Sequence, residues 1–448
     1  MRPQLSCVCL GAIGVTALLA LCSAPVASAT APSHPGSTTL GRARSAAVSP
    51  DTVAPLRSIA VSTSAQLAQA LKAAVAGDTI VLAAGTYSGP FSITSSGTAA
   101  HPIVVQPAVG AAVTLTAALP RRSCAAGGPD EDRTVEFHHG ASYWTLRGLA
   151  ISGGVLISGD HADTSNSWLA KLVAAHDWSA RRQLPGSSSY DASTVAAQVS
   201  YVAAQTQRSL PTSDSIKLVS DVVTGKGIFT RLARFGVIRN TVVKDVACGS
   251  GPGIWLANFS SGWTVAGNDV SAVAHSDASH YMQEGIRMSS ASNYNTVTGN
   301  SVHDLPDQGR GITTDVDASF NTISHNTVRA VAIGFSDEQS GWGNIWDHNL
   351  VVGARQSGYS FRMEDIGLVA PSRDTSTWSD VVSCNTATAT PVGIEMGSMG
   401  ASTFTSNAVG SVYVGRAMRD YWASTGNTWN GSTSLPPALS SPSTGSGC

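Results

Sequence analysis

Between Gly227 and Asn427 the chain repeats one pattern of apolar and polar positions. A glycine is followed by an apolar residue and alternating positions, then by a polar break, and then by a short β-branched run ending on asparagine. The segments read GIFT to VIRN, GIWL to VAGN, GIRM to VTGN, GITT to ISHN, GFSD to IWDHN, GYSF to VSCN and GIEM to FTSN. Glycine and asparagine stand 15 residues apart in four successive units, Gly253 to Asn268, Gly285 to Asn300, Gly311 to Asn326 and Gly334 to Asn349. The units themselves recur less evenly, with Asn240, Asn268, Asn300, Asn326, Asn349, Asn385, Asn407 and Asn427 spaced by 20 to 36 residues. A constant offset inside a variable period describes a solenoid whose turns differ in length while its rungs do not.

Residue types select the kind of solenoid. The units are short, β-branched and split by Gly, Ser, Asn and Asp, so they are not helix pairs, and the leucine frame of a leucine-rich repeat is missing. The pattern predicts an all-β fold, a single-stranded right-handed parallel β-helix of about ten coils. Asparagines stacked at an inward bend can bond amide to amide, so they are read as scaffold. Ser62 to Val75 has apolar residues at helical spacing behind Ser and Thr caps, and predicts a short helix closing the open edge of the first coil.

Strand alternation then sorts the side chains. With the glycine as zero, position one is apolar in every unit and faces inward: Ile228, Ile254, Ile286, Ile312, Phe335, Tyr359 and Ile394. Position two faces outward, as Phe229, Trp255, Arg287, Thr313, Ser336, Ser360 and Glu395. So does position four, as Arg231, Ala257, Ser289, Asp315, Glu338, Arg362 and Gly397. Asp315 and Glu338 fall on adjacent coils, with Arg287 one coil before and Arg362 one coil beyond. Like charges that close call for a cation or an arginine between them. They can ligate a hard cation such as Ca2+, joined by Asp317, with an arginine assisting proton abstraction; or they can act as acid and base or nucleophile in glycoside hydrolysis. They can also simply pair with the arginines as a charge ladder along the face. Arg231, Trp255 and Glu395 are candidate substrate-binding residues, Trp255 as a platform for a sugar ring. Asp337 turns inward in this register, and a slip of one residue would exchange it for Glu338.

Long excursions flank this face. Asp221 takes the asparagine place in its coil, 67 residues after Gly154, which leaves about fifty extra residues at about 160–213 with helix-period segments. They carry Trp168, Trp178, Tyr190 and Tyr201, read chiefly as core, with His176, Arg181 and Arg182. A second excursion, from about Glu364 to Thr377, stretches the Gly358 to Asn385 offset to 27. Both leave the same turn and would wall a groove along the outward rows. His275, Asp277, His280 and Glu284 are metal-capable types without zinc spacing and read as a solvated polar loop.

The rest of the chain sets the context. Residues 1–29 have the charged start, apolar run and Ala-Ser-Ala site of a signal peptide, and residues 30–57 read as a disordered linker or pro-segment. The β-helix is expected over 58–430, with a tail at 431–448. Four cysteines remain after the leader, Cys124, Cys248, Cys384 and Cys448, enough for two disulfides in any of three pairings. Net charge is -2 with 12% charged residues, which leaves no basic stripe for nucleic acid and no general field for an acidic polymer. The apolar run is too short to span a bilayer. A secreted, extracellular monomer is expected.

The run AQLAQALKAAVAGDTIVLAAGTYSGPFSITSSGTAAHPIVVQP, with SYWTLRGLAISGG at Ser142 to Gly154, resembles the opening coils of pectate lyase-like β-helix polysaccharide lyases, most of all the alginate lyase and chondroitinase B family. The catalytic motifs of that family have no counterpart here. The resemblance implies the β-helix fold and a polysaccharide lyase acting on a uronate-containing polymer by metal-assisted β-elimination. Asp315 and Glu338 would then hold calcium, while Arg287 and Arg362 would bind the carboxylate or serve as base and acid. A β-helix glycoside hydrolase and a non-catalytic carbohydrate-binding solenoid are the alternatives.

Overall fold

The computed structural model describes residues 56–119, 132–159, 212–274, 283–289, 292–315, 318–338, 343–362, 379–397, 400–415 and a few of those that follow, through Cys448. All belong to one compact unit, Val53–Cys448. The expected leader, the linker up to residue 55, the excursion at about 160–213 up to residue 211 and that from about Glu364 to Thr377 lie outside the described residues; Arg57, expected in the linker, opens the first strand.

Three long parallel sheets run side by side along the chain. The first has 13 strands, from Arg57–Val61 to Thr428–Trp429; the second has 11, from Phe91–Ile93 to Val412–Val414; the third has 11, from Gly85–Gly89 to Ala408–Val409. Each coil contributes one short strand to each sheet and pairs only with the coils before and after, which is a parallel β-helix. The glycine-led strands form the second sheet, and the asparagine-terminated strands form the first.

The interior is three stacked columns of apolar side chains, one per sheet. Ile254, Ile286, Ile312, Phe335, Tyr359 and Ile394 come from the second sheet, Val265, Val297, Ile323, Trp346, Val382 and Phe404 from the first, and Val270, Val302, Val328 and Val351 from the third, all fully buried. Each such side chain contributes about 1.5–3 kcal/mol of burial. One helix, Ser64–Ala73, closes the first coil as the sequence predicts. The Thr63 hydroxyl accepts from Gln66 N at 3.2 Å, and Leu67, Ala70 and Leu71 are buried beneath it.

The asparagines form a ladder from Asn268 to Asn407. Each Nδ2 donates to the Oδ1 of the next coil, at 2.9 Å from Asn268 to Asn300, 2.8 Å from Asn300 to Asn326, and 3.0 Å from Asn326 to Asn349, Asn349 to Asn385 and Asn385 to Asn407. Two expected members are elsewhere. Asn240 sits one residue early, in a left-handed turn at φ 51, and Thr241 N donates to Asn268 Oδ1 in its place. Asn427 belongs to a second ladder at the opposite end of the first-sheet strands, Asn295, Asn321, Asn344, Asp380, Ser402 and Asn427. The spacing of Asn427 alone does not separate the two.

Asp221 does take the ladder place, accepting from Leu149 N at 2.9 Å and Val219 N at 3.0 Å. Burial pushes its carboxyl up to about 7 against the pull of these two bonds. An unfolded Asp ionises near 3.9, so the folded state holds the proton over a range where the unfolded state has lost it. The stability this gives is complete below about pH 4 and is lost as pH rises through about 7. Asp221→Asn is expected to flatten the decline of the thermal midpoint over that range, read by circular dichroism; parallel profiles for variant and wild type would refute the assignment.

The glycines that open the second-sheet strands sit where the wall turns the corner. A Cβ on Gly334 would stand 2.4 Å from the Gly358 carbonyl oxygen and 2.5 Å from Val351 Cγ2. Gly334→Ala should therefore cost about 1–3 kcal/mol by overpacking, measured as a lower denaturant midpoint.

Candidate functional site

The register expected for the second sheet is the one observed. Phe229 pairs with Trp255, Trp255 with Arg287, Arg287 with Thr313, Thr313 with Ser336, Ser336 with Ser360 and Ser360 with Glu395. In the second outward row Arg231 pairs with Ala257 and Glu338 with Arg362. Asp315 follows Thr314, the partner of Asp337, and so comes opposite Glu338. No slip exchanges the last two: Asp337 is wholly buried, its Oδ2 accepting from Asn344 Nδ2 at 3.0 Å.

The glycine corner adds a third outward position that strict alternation misses. A Cβ on Gly285 would meet Val302 of the interior, so this glycine faces inward together with Ile286. The register passes from Glu284 opposite Arg310 directly to Ile286 opposite Ile312. The residue before the glycine therefore lies outside, and Glu284 and Arg310 join the cluster.

The charges interleave. Arg287 is hydrogen-bonded to Asp315, lies 3.6 Å from Glu284 Oε1 and stacks over Trp255 at 5.4 Å. Arg310 Nη1 donates to Glu338 Oε2 at 2.8 Å. Trp255 stacks on Phe229 at 4.6 Å and donates its indole N–H to Ser289 Oγ at 2.8 Å. Arg287, Asp315 and Glu338 are 7%, 5% and 4% exposed, so these pairs lie in a low-dielectric setting where each charge acts strongly on the next.

Burial pushes the Asp315 carboxyl up, Arg287 pulls it back, Glu284 pushes it further, and the net is a raised value. Burial works against the charge of Arg287 as well, but Asp315 and Glu284 together hold its guanidinium above the usual range. Asp315 Oδ1 and Glu284 Oε2 are buried and accept no hydrogen bond from the described residues. The cluster thus holds a carboxyl whose ionisation is favoured by Arg287 first and Arg310 second, with an acceptor oxygen to spare.

The other candidates are placed as follows. Arg231 is buried, its Nε donating to Ser158 Oγ at 3.0 Å. Glu395 accepts from Ser357 Oγ at 3.3 Å. Arg362 follows Glu338 by one coil. Asp317, His275, Asp277, His280 and the aromatic residues of the long excursion lie outside the described residues. Among the described residues, the acids around Asp315 do not form a group of three with ligand atoms within 4.8 Å of one another; that arrangement is met by His348, Cys384 and Cys448. Glu284 and Arg310 were legible in one respect, as charged residues directly before the glycine in successive coils.

Part of the chain, residues 186–360, matches the family described as periplasmic copper-binding protein (NosD). No curated protein sequence matches. Solved structures similar to this chain include an alginate lyase from Paenibacillus sp. str. FPU-7 (17% identity, 77% of this chain and 99% of that one, TM-score 0.41). Others are pectate lyase Pel9A (11%, 87% and 89%, 0.45) and a GH136 lacto-N-biosidase from Eubacterium ramulus (11%, 81% and 66%, 0.46).

Removing the cation from this cluster should be costly. Arg287→Gln leaves Asp315 and Glu284 buried without it, and is expected to lower stability by about 3–5 kcal/mol. Adding Asp315→Asn should restore part of that loss in a denaturant double-mutant cycle; strictly additive losses would show that the two do not act as a pair.

Proposed function

We propose that this protein cleaves a uronate-containing polysaccharide by β-elimination at the outward face of its second sheet. The observation that carries the reading is the buried pairing of Arg287 with Asp315 beside Glu284. A guanidinium is the natural partner of a carboxylate, and an incoming uronate competes with Asp315 for it. Asp315 is ionised only so far as Arg287 offsets burial and Glu284. With the uronate carboxylate held by the same guanidinium, Asp315 in its ionised form is the base beside the proton next to that carboxylate. The electrons of that C–H bond form the ring double bond as the glycosidic C–O bond breaks, and Asp315 returns the proton to the departing oxygen. Trp255, buried between Phe229 and Arg287, supports the guanidinium from behind, and its ring becomes available to a sugar only where Arg287 moves off it.

Calcium at Asp315 and Glu338, with Asp317, is the metal-assisted form of the same reaction; it requires the ion to displace Arg287 and Arg310 from their carboxylates. Hydrolysis is the second reading, favoured by one observation. The backbones of Asp315 and Glu338 lie one strand spacing apart, about 4.8 Å, which puts two carboxyl groups on adjacent coils, as paired-carboxylate hydrolysis requires. Among the described residues the group with metal-ligand spacing is His348, Cys384 and Cys448, and both of its sulfurs are tied in the Cys384–Cys448 disulfide. That disulfide suits a place outside the cytoplasm, and no described helix is long and apolar enough to cross a membrane.

The purified protein should release ultraviolet-absorbing unsaturated ends from alginate, pectate or a glycosaminoglycan, and Asp315→Asn should lower that rate by about 10²–10⁴-fold. Loss of the signal with chelator would establish the calcium form. Reducing ends without absorbance would replace elimination by hydrolysis, and silence in both would leave a binding solenoid.

A further inference from the structure

We propose that the turn carrying His325, His348 and Cys384 is a redox-gated site for a thiophilic cation, closed while Cys384 and Cys448 form a disulfide and opened by its reduction. The site lies where the first sheet turns into the third, away from the carboxylate cluster, and is independent of the catalytic reading.

Register builds it. Ser324, Asp347 and Ser383 pair across adjacent strands, so the residues that follow them, His325, His348 and Cys384, come one above another. All three adopt left-handed backbone, at φ 56, 52 and 53. The same place two coils and one coil earlier is held by Gly267 and Gly299, the residue that conformation favours. Ser220, Asn240 and Ser406 hold the place in other coils, also left-handed, so the turn tolerates residues other than glycine, and what distinguishes these three neighbouring coils is a run of ligand-type side chains.

The side chains meet. The His325 and His348 rings stack in parallel with centroids 5.0 Å apart. A ring nitrogen of His348 and the two sulfurs lie within 4.8 Å of one another, with His348 and Cys448 exposed and Cys384 half-buried. Asp347 Oδ2 stands 2.7 Å from His348 Nδ1, a contact that favours the tautomer with its proton on Nδ1 and its lone pair on Nε2. A carboxylate fixing the tautomer of a ligating imidazole is the usual outer support of a metal site.

The chemistry follows from the sulfurs. As a disulfide they offer no thiolate, and the cluster is a single imidazole. A thiol reductant that supplies two electrons and two protons converts the bond to two thiols, itself becoming oxidised. A cation then displaces both thiol protons, and two thiolates with one imidazole form the donor set of Cu(I) or, with His325 or water as a fourth ligand, Zn(II).

The test uses the full chain, reduced with a phosphine under anaerobic conditions and titrated with Cu(I) against a chromophoric Cu(I) chelator. Comparison with the double variant Cys384→Ser, Cys448→Ser isolates this site from the remaining cysteines. Reduced wild type should hold one equivalent more than the double variant, and oxidised wild type should not. His348→Ala, which keeps the disulfide and its fold, should weaken that equivalent by at least about tenfold. Equal binding by wild type and double variant, equal binding before and after reduction, or unchanged affinity in His348→Ala would each overturn the proposal.

Discussion

The amide of Asn300 donates to Asn326 and accepts from Asn268, and the same contact recurs from coil to coil along the first sheet. Together with the second ladder at the other end of these three-residue strands, it fixes each coil laterally against the next. Strands this short carry few backbone bonds of their own, and a slip of one residue would turn every inward isoleucine outward. The ladders make that slip cost a run of buried amides their partners at once. Everything else depends on this registration: the apolar columns, the glycine corners, and the rows of charge on the outside.

Registration converts sequence into a chemical surface. Whatever occupies one position on successive coils is brought within one strand spacing, so Arg287, Asp315, Arg310 and Glu338 meet although they are scattered over some fifty residues. A buried set of this kind is weak support for a fold, because removing charges from water costs more than most ion pairs return. The interior holds an acidic pair of its own. Asp337 and Asp380 face each other in the core, burial pushing both carboxyls up, with Asn344 donating to Asp337 and Trp346 to Asp380 as members of the scaffold. The outer cluster differs in carrying guanidinium partners, Arg287 and Arg310, for which a carboxylate ligand can compete.

Much of this was legible in the sequence, since a glycine-to-asparagine offset and alternation are properties of single coils. The inward column, both outward rows, the capping helix and the inward turn of Asp337 all follow from counting. What failed did so at corners. Asn240 and Asn427 look like ladder members by spacing, but a corner shifts the first by one residue and assigns the second to a different ladder. Glu284, expected in a solvated polar loop, is instead buried on the strand Glu284–Met288, and it and Arg310 escape the outward rows because two consecutive inward residues, glycine and isoleucine, break the alternation that places the others. Which ion pairs close, Arg287 with Asp315 and Arg310 with Glu338, depends on rotamers that no periodicity encodes.

The two ends of the solenoid are finished differently. At the first coil a helix lies over the open edge, held by Leu67, Ala70 and Leu71. At the last coils the chain is fastened by the Cys384–Cys448 bond, which spans 64 residues and ties Cys448 back to the coil of Asn385. Stacked coils melt from their ends, and the apolar contact at one end is indifferent to the redox state of its surroundings while the covalent clasp at the other is not. Crossing into a reducing compartment would therefore leave the helix-capped end as it is, while closure of the other end would pass to whatever the two freed sulfurs hold between them.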